Sequence, residues 1–371
     1  ADSVAASAVS RAGTLFVDRR LTAPDIDSTG QTGRMSPAAF DLAAIGAGLS
    51  FAAALDELSA ALDASGSVVV TAPPGTGKTT LVPPLIASRR NGRVIVTQPR
   101  RVAARAAARR LAHLDGSPLG TRVGFTVRGE RAAGPATQVE FVTAGVLLRR
   151  MLDDPGLDGV DAVIIDEVHE RALETDLLIG LLSEVRELRD DLVVVAMSAT
   201  LDAGRIASVI GTDELPAPIV DHDVPAFPLT ERSAPSPVPR LDERGVTWGF
   251  LDHVASVATS AARDLVREDP DADVLVFAPG AREVAEIARR IRDAGDAFDV
   301  RELHGQIPPA EQDAVIRGRT PHGLPRIIVT TSLAESSLTV PGVRLVVDSC
   351  LSRHPQRDAA RGMTGLVTSA A

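Results

Sequence analysis

The stretch Ser67-Val-Val-Val-Thr-Ala-Pro-Pro-Gly-Thr-Gly-Lys-Thr-Thr-Leu81 decides how this chain is read. It opens as a β-rich run, turns through Pro and Gly, and continues into a segment of helical composition. Within it, Ala72-x4-Gly77-Lys78-Thr79 has the spacing of a phosphate-binding loop, with alanine in the first slot where glycine is usual. Gly75 and Gly77 let the backbone turn its N–H groups inward around phosphate oxygens. The helix that follows adds the positive end of its dipole. On this reading Pro74, Gly75, Thr76, Gly77, Lys78, Thr79 and Thr80 line a bound nucleotide. Lys78 reaches the β- and γ-phosphates, and Thr79 holds Mg²⁺. The competing reading is a Gly/Pro turn before an ordinary helix. Composition weighs against it, because Lys78 is the one lysine among 39 Lys and Arg residues. In a chain drifted so far towards arginine, a surviving lysine marks a place where a compact ammonium does what a planar guanidinium cannot.

Outward from this loop, short β-rich runs alternate with helical segments. The runs are Ser67–Thr71, Arg93–Gln98, Gln138–Thr143, Ala162–Asp166 and Leu192–Ser198, with helical segments such as Val102–Leu114 and Ala172–Leu188 between them. Nearly continuous apolar strands alternating with helices predict a parallel sheet covered on both faces. Residues 215–240 carry seven prolines, from Pro216 to Pro239, and read as a linker or irregular edge region. A second series follows: Asp273–Ala278, Asp299–His304, Arg326–Thr331 and Val343–Asp348. The expected organisation is α/β, with two parallel-sheet domains in tandem: a loose leader at 1–45, a nucleotide-binding domain at 46–214, the Pro-rich region, and a second domain at 241–371. Arg11, Arg19 and Arg20 faintly suggest a transit peptide in the leader, which Asp2, Asp18, Asp25 and Asp27 contradict.

The segment Asp161-Ala-Val-Ile-Ile-Asp-Glu-Val-His-Glu-Arg171 ends an apolar strand with acids. A strand end beside a phosphate loop is where a second Mg²⁺ contact is needed, and Asp166 suits it. Glu167 is placed to orient and deprotonate the attacking water, a role a magnesium-bound carboxylate fills poorly. A solvated helix start with favourable dipole charges is the plain alternative.

Composition bounds the classes. The 371 residues suffice for two domains of roughly 150 residues, and 44% hydrophobic content supports packed cores. No run approaches the roughly 20 apolar residues of a membrane span. The one cysteine, Cys350, forms no internal disulfide, so the reducing cytoplasm is the default compartment. The net charge of -10 counts against a high-affinity, sequence-independent nucleic-acid binder, but not against a motor that grips strands with a few placed arginines.

Further motifs carry a family resemblance. Asp166-Glu-Val-His169 resembles a DEAH box, and Ser198-Ala-Thr200 resembles the motif that follows it in superfamily 2 helicases. Gln98-Pro-Arg-Arg-Val-Ala-Ala104 is similar to the first strand-gripping motif of DEAH-box RNA helicases. Thr143-Ala-Gly145 is similar to the next, with Ala144 where aspartate is usual. Val274–Gly280, Leu303-His-Gly305 and Thr330–Thr339 resemble the fourth and fifth motif regions. The run Arg101–Arg110, Val123–Glu130 and Gly134–Thr137 is similar to the bacterial HrpB-type subgroup. The resemblance spans about residues 50–371. It implies two RecA-like lobes, with ATP and Mg²⁺ in the cleft and single-stranded RNA crossing both in a 3′-to-5′ motor. It also implies that Arg100, Arg101, Thr143 and Thr331 contact strand phosphates, independently of sequence. His169, Ser198 and Thr200 would couple hydrolysis to movement, and Arg110 would stack on adenine.

Two departures stand out. The sixth family motif, which supplies arginine fingers, is not found, and Arg353, Arg357 and Arg361 lie in surroundings that do not match it. The expectation is therefore a portion of a longer protein, its second lobe incomplete, that binds ATP and hydrolyses it weakly; such fingers can be worth roughly 10³–10⁵ in rate. Pro341 stands where relatives usually carry an acidic residue near the ribose, which would relax nucleotide selection. The alternatives are a double-stranded DNA translocase, a nucleotide-regulated binding module, and a small-molecule kinase. The kinase leaves the second α/β series without a purpose.

Overall fold

The computed structural model describes residues 39–370, apart from 200–202, 213–214, 226–227, 296, 321, 336–339 and 359–361, with residue 358 described by its backbone only. The chain enters through α1 (Leu42–Ile45), a 3-10 turn (Ser50–Ala54) and α2 (Leu55–Ser65). Then come β1 (Ser67–Thr71), α3 (Lys78–Arg89), β2 (Arg93–Gln98) and α4 (Arg101–Asp115). A hairpin of β3 (Val123–Val127) and β4 (Glu130–Ala132) precedes β5 (Val139–Thr143), α5 (Ala144–Asp153) and β6 (Val160–Ile165). The first lobe continues with α6 (Leu173–Leu188), β7 (Val193–Ser198), α7 (Ala203–Ile210) and β8 (Ile219–Asp221).

These strands make one eight-stranded sheet in the order β4-β3-β5-β2-β6-β7-β1-β8, parallel throughout except for β4. Alternation along each strand fills both faces. Val68, Val70, Val96, Phe141, Ile164 and Val195 pack with Leu58, Leu81, Ile86 and Leu111 on one side. Val69, Ile95, Val142, Val163 and Val194 pack with Leu147, Leu178, Leu182 and Ile210 on the other. This two-sided burial is why the strands read as unbroken apolar runs. The central strands of both series fall within two residues of the bounds expected from sequence.

A short antiparallel pair, β9 (Leu241–Asp242) and β10 (Gly245–Val246), leads into the second lobe. Its elements are α8 (Trp248–Glu268), β11 (Asp273–Phe277), α9 (Ala281–Asp293), β12 (Asp299–Leu303), α10 (Pro309–Ile316), β13 (Arg326–Thr330) and β14 (Val343–Asp348). The parallel sheet runs β12-β13-β11-β14. An antiparallel hairpin of β15 (Leu351–Asp358) and β16 (Met363–Ala370) follows. Arg353 at its base donates to Thr368 Oγ1 at 2.9 Å and to Glu283 Oε1 of α9 at 2.9 Å.

One boundary is corrected. Over its described residues, 39–45, the expected loose leader at 1–45 is packed: Phe40 and Ile45 are buried in the first core, and Asp41 caps α1 through Ala44 N–H at 3.0 Å. The Arg122 guanidinium lies 4.0 Å from the Phe40 ring centroid. A four-residue helix is too short to show a period, so its apolar anchors were not legible as a pattern. In the Pro-rich region, Ile219–Asp221 pairs in parallel with β1 as the sheet's edge strand. The rest of the expected leader lies outside the described residues, as do Thr200, Arg361 and 336–339 of the fifth-motif region.

Candidate active site

The loop between β1 and α3 is shaped from behind. Gly77 has φ of 103°, and a Cβ there would meet Leu49 Cδ1 at 2.8 Å, so glycine serves both the left-handed backbone and the close approach. The Phe51 N–H donates to the Thr76 carbonyl at 3.1 Å, and Thr76 Oγ1 folds back to the Pro73 carbonyl at 2.9 Å. Pro74 and Gly75 form the exposed crest, and Thr79 and Thr80 are half-buried. The residues that support the loop, Leu49 and Phe51, are ones that motif reading passed over.

Lys78 opens α3 and is only 4% exposed, and among the described residues no carboxylate pairs with its ammonium. A buried, unpaired cation at a helix N-terminus is a place for an anion. Strand β6 ends beside it. Asp166, 3% exposed, accepts from Thr79 Oγ1 at 2.6 Å and Gln98 Nε2 at 2.6 Å on one carboxylate oxygen, and from Glu167 N–H at 2.9 Å on the other. Gln98 was quoted within a motif but not foreseen as part of the site. Its signal is a polar residue closing an apolar strand adjacent to β6.

Glu167 sits in the left-handed region, φ 55° and ψ 41°, a conformation that costs energy in a non-glycine residue and collects at functional sites. Its carboxylate lies 3.4 Å from His169 Nε2. His169 Nδ1 accepts the Ala199 N–H at 3.3 Å, which puts the proton of the neutral ring on Nε2, facing Glu167. The buried Ser198 closes β7, the strand between β1 and β6, and its carbonyl accepts Ala72 N–H at 3.2 Å. The end of β7 thus touches the phosphate loop through Ser198 and the acidic cluster through Ala199.

Burial sets the electrostatics. It raises the Asp166 carboxyl above the ordinary range, against the pull of Lys78, Thr79 and Gln98. Burial, then the neighbouring Asp166, pushes Glu167 up to about 7. Burial and Lys78 lower His169, keeping it neutral at neutral pH. A carboxylate poised near 7 is matched to proton transfer at that pH. The Thr79 hydroxyl and Asp166 carboxylate are hard oxygen donors side by side, which fits Mg²⁺. Among the described residues no cluster of three His, Cys, Asp or Glu side chains could hold a metal alone. A magnesium ion shared with phosphate oxygens and water needs no such cage.

Three of the other sequence-derived residues, Arg100, Arg101 and Thr143, occupy a second stretch of the same sheet edge. Arg100 and Arg101 follow β2, and Thr143 ends β5, its neighbour in the sheet. Arg101 is exposed, whereas Arg100 donates to the Ser332 carbonyl of the second lobe and lies 4.0 Å from the Glu170 carboxylate. Thr331 caps the turn Ser332–Ala334 in that lobe, its hydroxyl accepting from Leu333 N–H at 3.4 Å. Arg110 is exposed on α4 and is not drawn into the acidic cluster. Arg353 is committed to the hairpin base, and Arg357 is exposed on β15. No described helix is long and apolar enough to cross a membrane.

Comparison with known proteins bears on the family to which the two lobes belong. The family model described as DEAD/DEAH box helicase matches residues 53–209, and that of the helicase conserved C-terminal domain matches 258–361. The chain is 36% identical over 324 residues to the ATP-dependent RNA helicase HrpB of Escherichia coli, covering 86% of this chain and 38% of that protein. It is 32% identical over 317 residues to the probable ATP-dependent RNA helicase DHX35 homolog of Caenorhabditis elegans, covering 81% and 41%. The crystal structure of the Escherichia coli DEAH/RHA helicase HrpB superposes with a TM-score of 0.74 at 37% identity, covering 87% of this chain and 39% of that one. The chain thus spans about two fifths of the length of these relatives. With both lobes matched in order and the acidic strand end set against the phosphate loop, the chain belongs to the DEAD/DEAH box helicases.

Proposed function

We propose that this chain is the ATP-hydrolysing core of an RNA helicase, working in the cytoplasm and moving 3′-to-5′ on single-stranded RNA without regard to sequence. Residues 46–214, extended by the packing of Phe40 and β8, form the nucleotide-binding domain, and 241–371 belong to the second. The observation that carries the reading is the convergence of the buried Lys78, the Thr79–Asp166 pair and Glu167 at one strand edge.

In this reading Lys78 and the N–H groups of residues 74–80 bind the triphosphate. Thr79 and Asp166 would hold Mg²⁺, which would supply positive charge against the phosphate oxygens. Glu167 takes a proton from the water that attacks the γ-phosphorus, while the bond to the bridging oxygen breaks and its electrons leave with ADP. Neutral His169, oriented by the Ala199 N–H, steadies the Glu167 carboxylate and ties it to β7. Ser198 and Thr200 carry the coupling, Arg110 packs against the base, and Arg100, Arg101, Thr143 and Thr331 hold strand phosphates. The test is ATP turnover with Mg²⁺, alone, with single-stranded RNA and with DNA. A rate rise specific to RNA is expected. Equal stimulation by DNA would favour a DNA translocase, and a flat response to both would remove the helicase reading.

A further inference from the structure

Away from the reacting groups, α4 of the first lobe and α10 of the second share a buried polar contact with no role in the chemistry above. Arg105, only 2% exposed, donates to Glu130 Oε1 of β4 at 2.8 Å and to Gln312 Oε1 of α10. Arg109, one helical turn further along α4, pairs with Asp313. Asp313 also lies 4.0 Å from the Arg105 Nε, a buried N–H with no hydrogen-bond partner. Gln312 and Asp313 are 3% and 6% exposed. Gln312 is itself fixed, its Nε2 donating to the His304 carbonyl at 3.2 Å and the Ile307 carbonyl at 3.0 Å. The two arginines and two carboxylates balance, and most of their polar atoms are answered across or beside the boundary.

We infer that this α4–α10 clasp is a positioning device that holds the two lobes at the spacing nucleotide binding requires, with Asp313 as its keystone. Arg100, the N-cap of α4, is itself tied to the second-lobe Ser332 carbonyl, so one helix and its cap carry both cross-lobe attachments. A shift of the second lobe would have to part the Arg105–Gln312, Arg109–Asp313 and Arg100–Ser332 contacts, leaving Arg105 with only Glu130 of its own lobe and Asp313 without its arginine, a penalty. Rigid pre-spacing spares a ligand the cost of assembling its own cleft. The inference rests on the cleft reading given above and adds residues that touch neither nucleotide nor strand.

The test compares Asp313→Ala, Arg109→Ala and the double variant with the wild-type chain, using binding of a fluorescent ATP analogue and steady-state turnover. Melting curves confirm that each variant folds, and Arg109→Ala serves if Asp313→Ala does not. The interlobe distance is followed between labels on exposed Cys350 and on a Ser208→Cys site in α7. Loss of the clasp is expected to weaken nucleotide affinity and raise KM by about fivefold or more, the scale of typical intersite coupling. In the same variants kcat stays near wild type and the distance distribution broadens. The double variant is expected to be no worse than Asp313→Ala, because both act through one contact. Unchanged affinity in a folded Asp313→Ala, or additive losses in the double variant, would overturn the clasp alone. Failure of the wild-type chain to bind the analogue would overturn the cleft reading and the clasp with it.

Discussion

Asp166 and Asp273 are both buried aspartates on parallel sheets, 3% and 1% exposed, and they are opposites in chemistry. Asp273 opens β11, at the edge where strands begin. Arg326 answers it from the first position of β13, through its backbone N–H at 2.8 Å, Nε at 2.9 Å and Nη2 at 2.7 Å. The remaining donors of Arg326 go to the carbonyls of Val315 and Pro341. Asp166 stands at the edge where strands end. It faces a lysine, a hydroxyl and an amide, with a second carboxylate next in sequence and no arginine bonded to it among the described residues. One site is saturated and serves stability, whereas the other leaves charge available for a cation and phosphates. The difference follows the general rule that ligands of open α/β sheets gather outside the carboxyl ends of the strands.

The comparison is broken most forcefully at the unsaturated end. Glu167→Gln is expected to lower RNA-stimulated ATP turnover by about 10²–10⁴-fold, the usual worth of a general base. Its melting temperature should stay level or rise, since the change removes one of two adjacent buried carboxylates. Turnover assays beside thermal melts check this, and a matching loss of stability would contradict the assignment. At the saturated end the signature reverses. Arg326→Ala should destabilise the second lobe by about 3–5 kcal/mol, because it strands Asp273 without its partner. Urea titration measures the loss, while ATP affinity of the remaining folded protein should be unchanged.

A third buried carboxylate sharpens the contrast with a smaller effect. Burial alone would raise Glu140, but Thr126, Arg150 and Arg93 together hold it below the usual carboxylate range. A depressed folded-state pKa adds stability that is full above the unfolded value, about 4.3 for glutamate. That stability is lost as pH falls through the lower folded value. Acid titration of the wild-type chain should therefore show a limb below that pH, which Glu140→Gln flattens while lowering stability at neutral pH. An unchanged acid limb would assign the effect to other groups.

Much of the site was legible because its chemistry is local in sequence. A phosphate loop needs consecutive N–H groups, glycines and a lysine within a few residues, and an acidic pair must follow a strand directly. What escaped the sequence was contributed from a distance. Leu49 and Phe51 shape the loop from a segment without a period, and Gln98 reaches Asp166 only because β2 and β6 are neighbours. Arg100 was expected on the strand and is also engaged by Ser332 and Glu170, partners that a linear motif does not contain. The β15–β16 hairpin was missed because its exposed arms carry little apolar alternation to betray a strand.

The sequence by itself determined the alternation of buried strands and helices, the order of the two lobes, and the loop between β1 and α3 that carries Lys78 and Thr79. These depend on short-range periodicity and on backbone geometry over a few positions. Only the tertiary structure decided which buried aspartate is paired and which is left open, that burial lifts Glu167 to about 7, and that Arg105 and Arg109 meet Gln312 and Asp313 across the lobes. Desolvation and charge pairing depend on what surrounds a group in space, and strand order and lobe packing fix those surroundings.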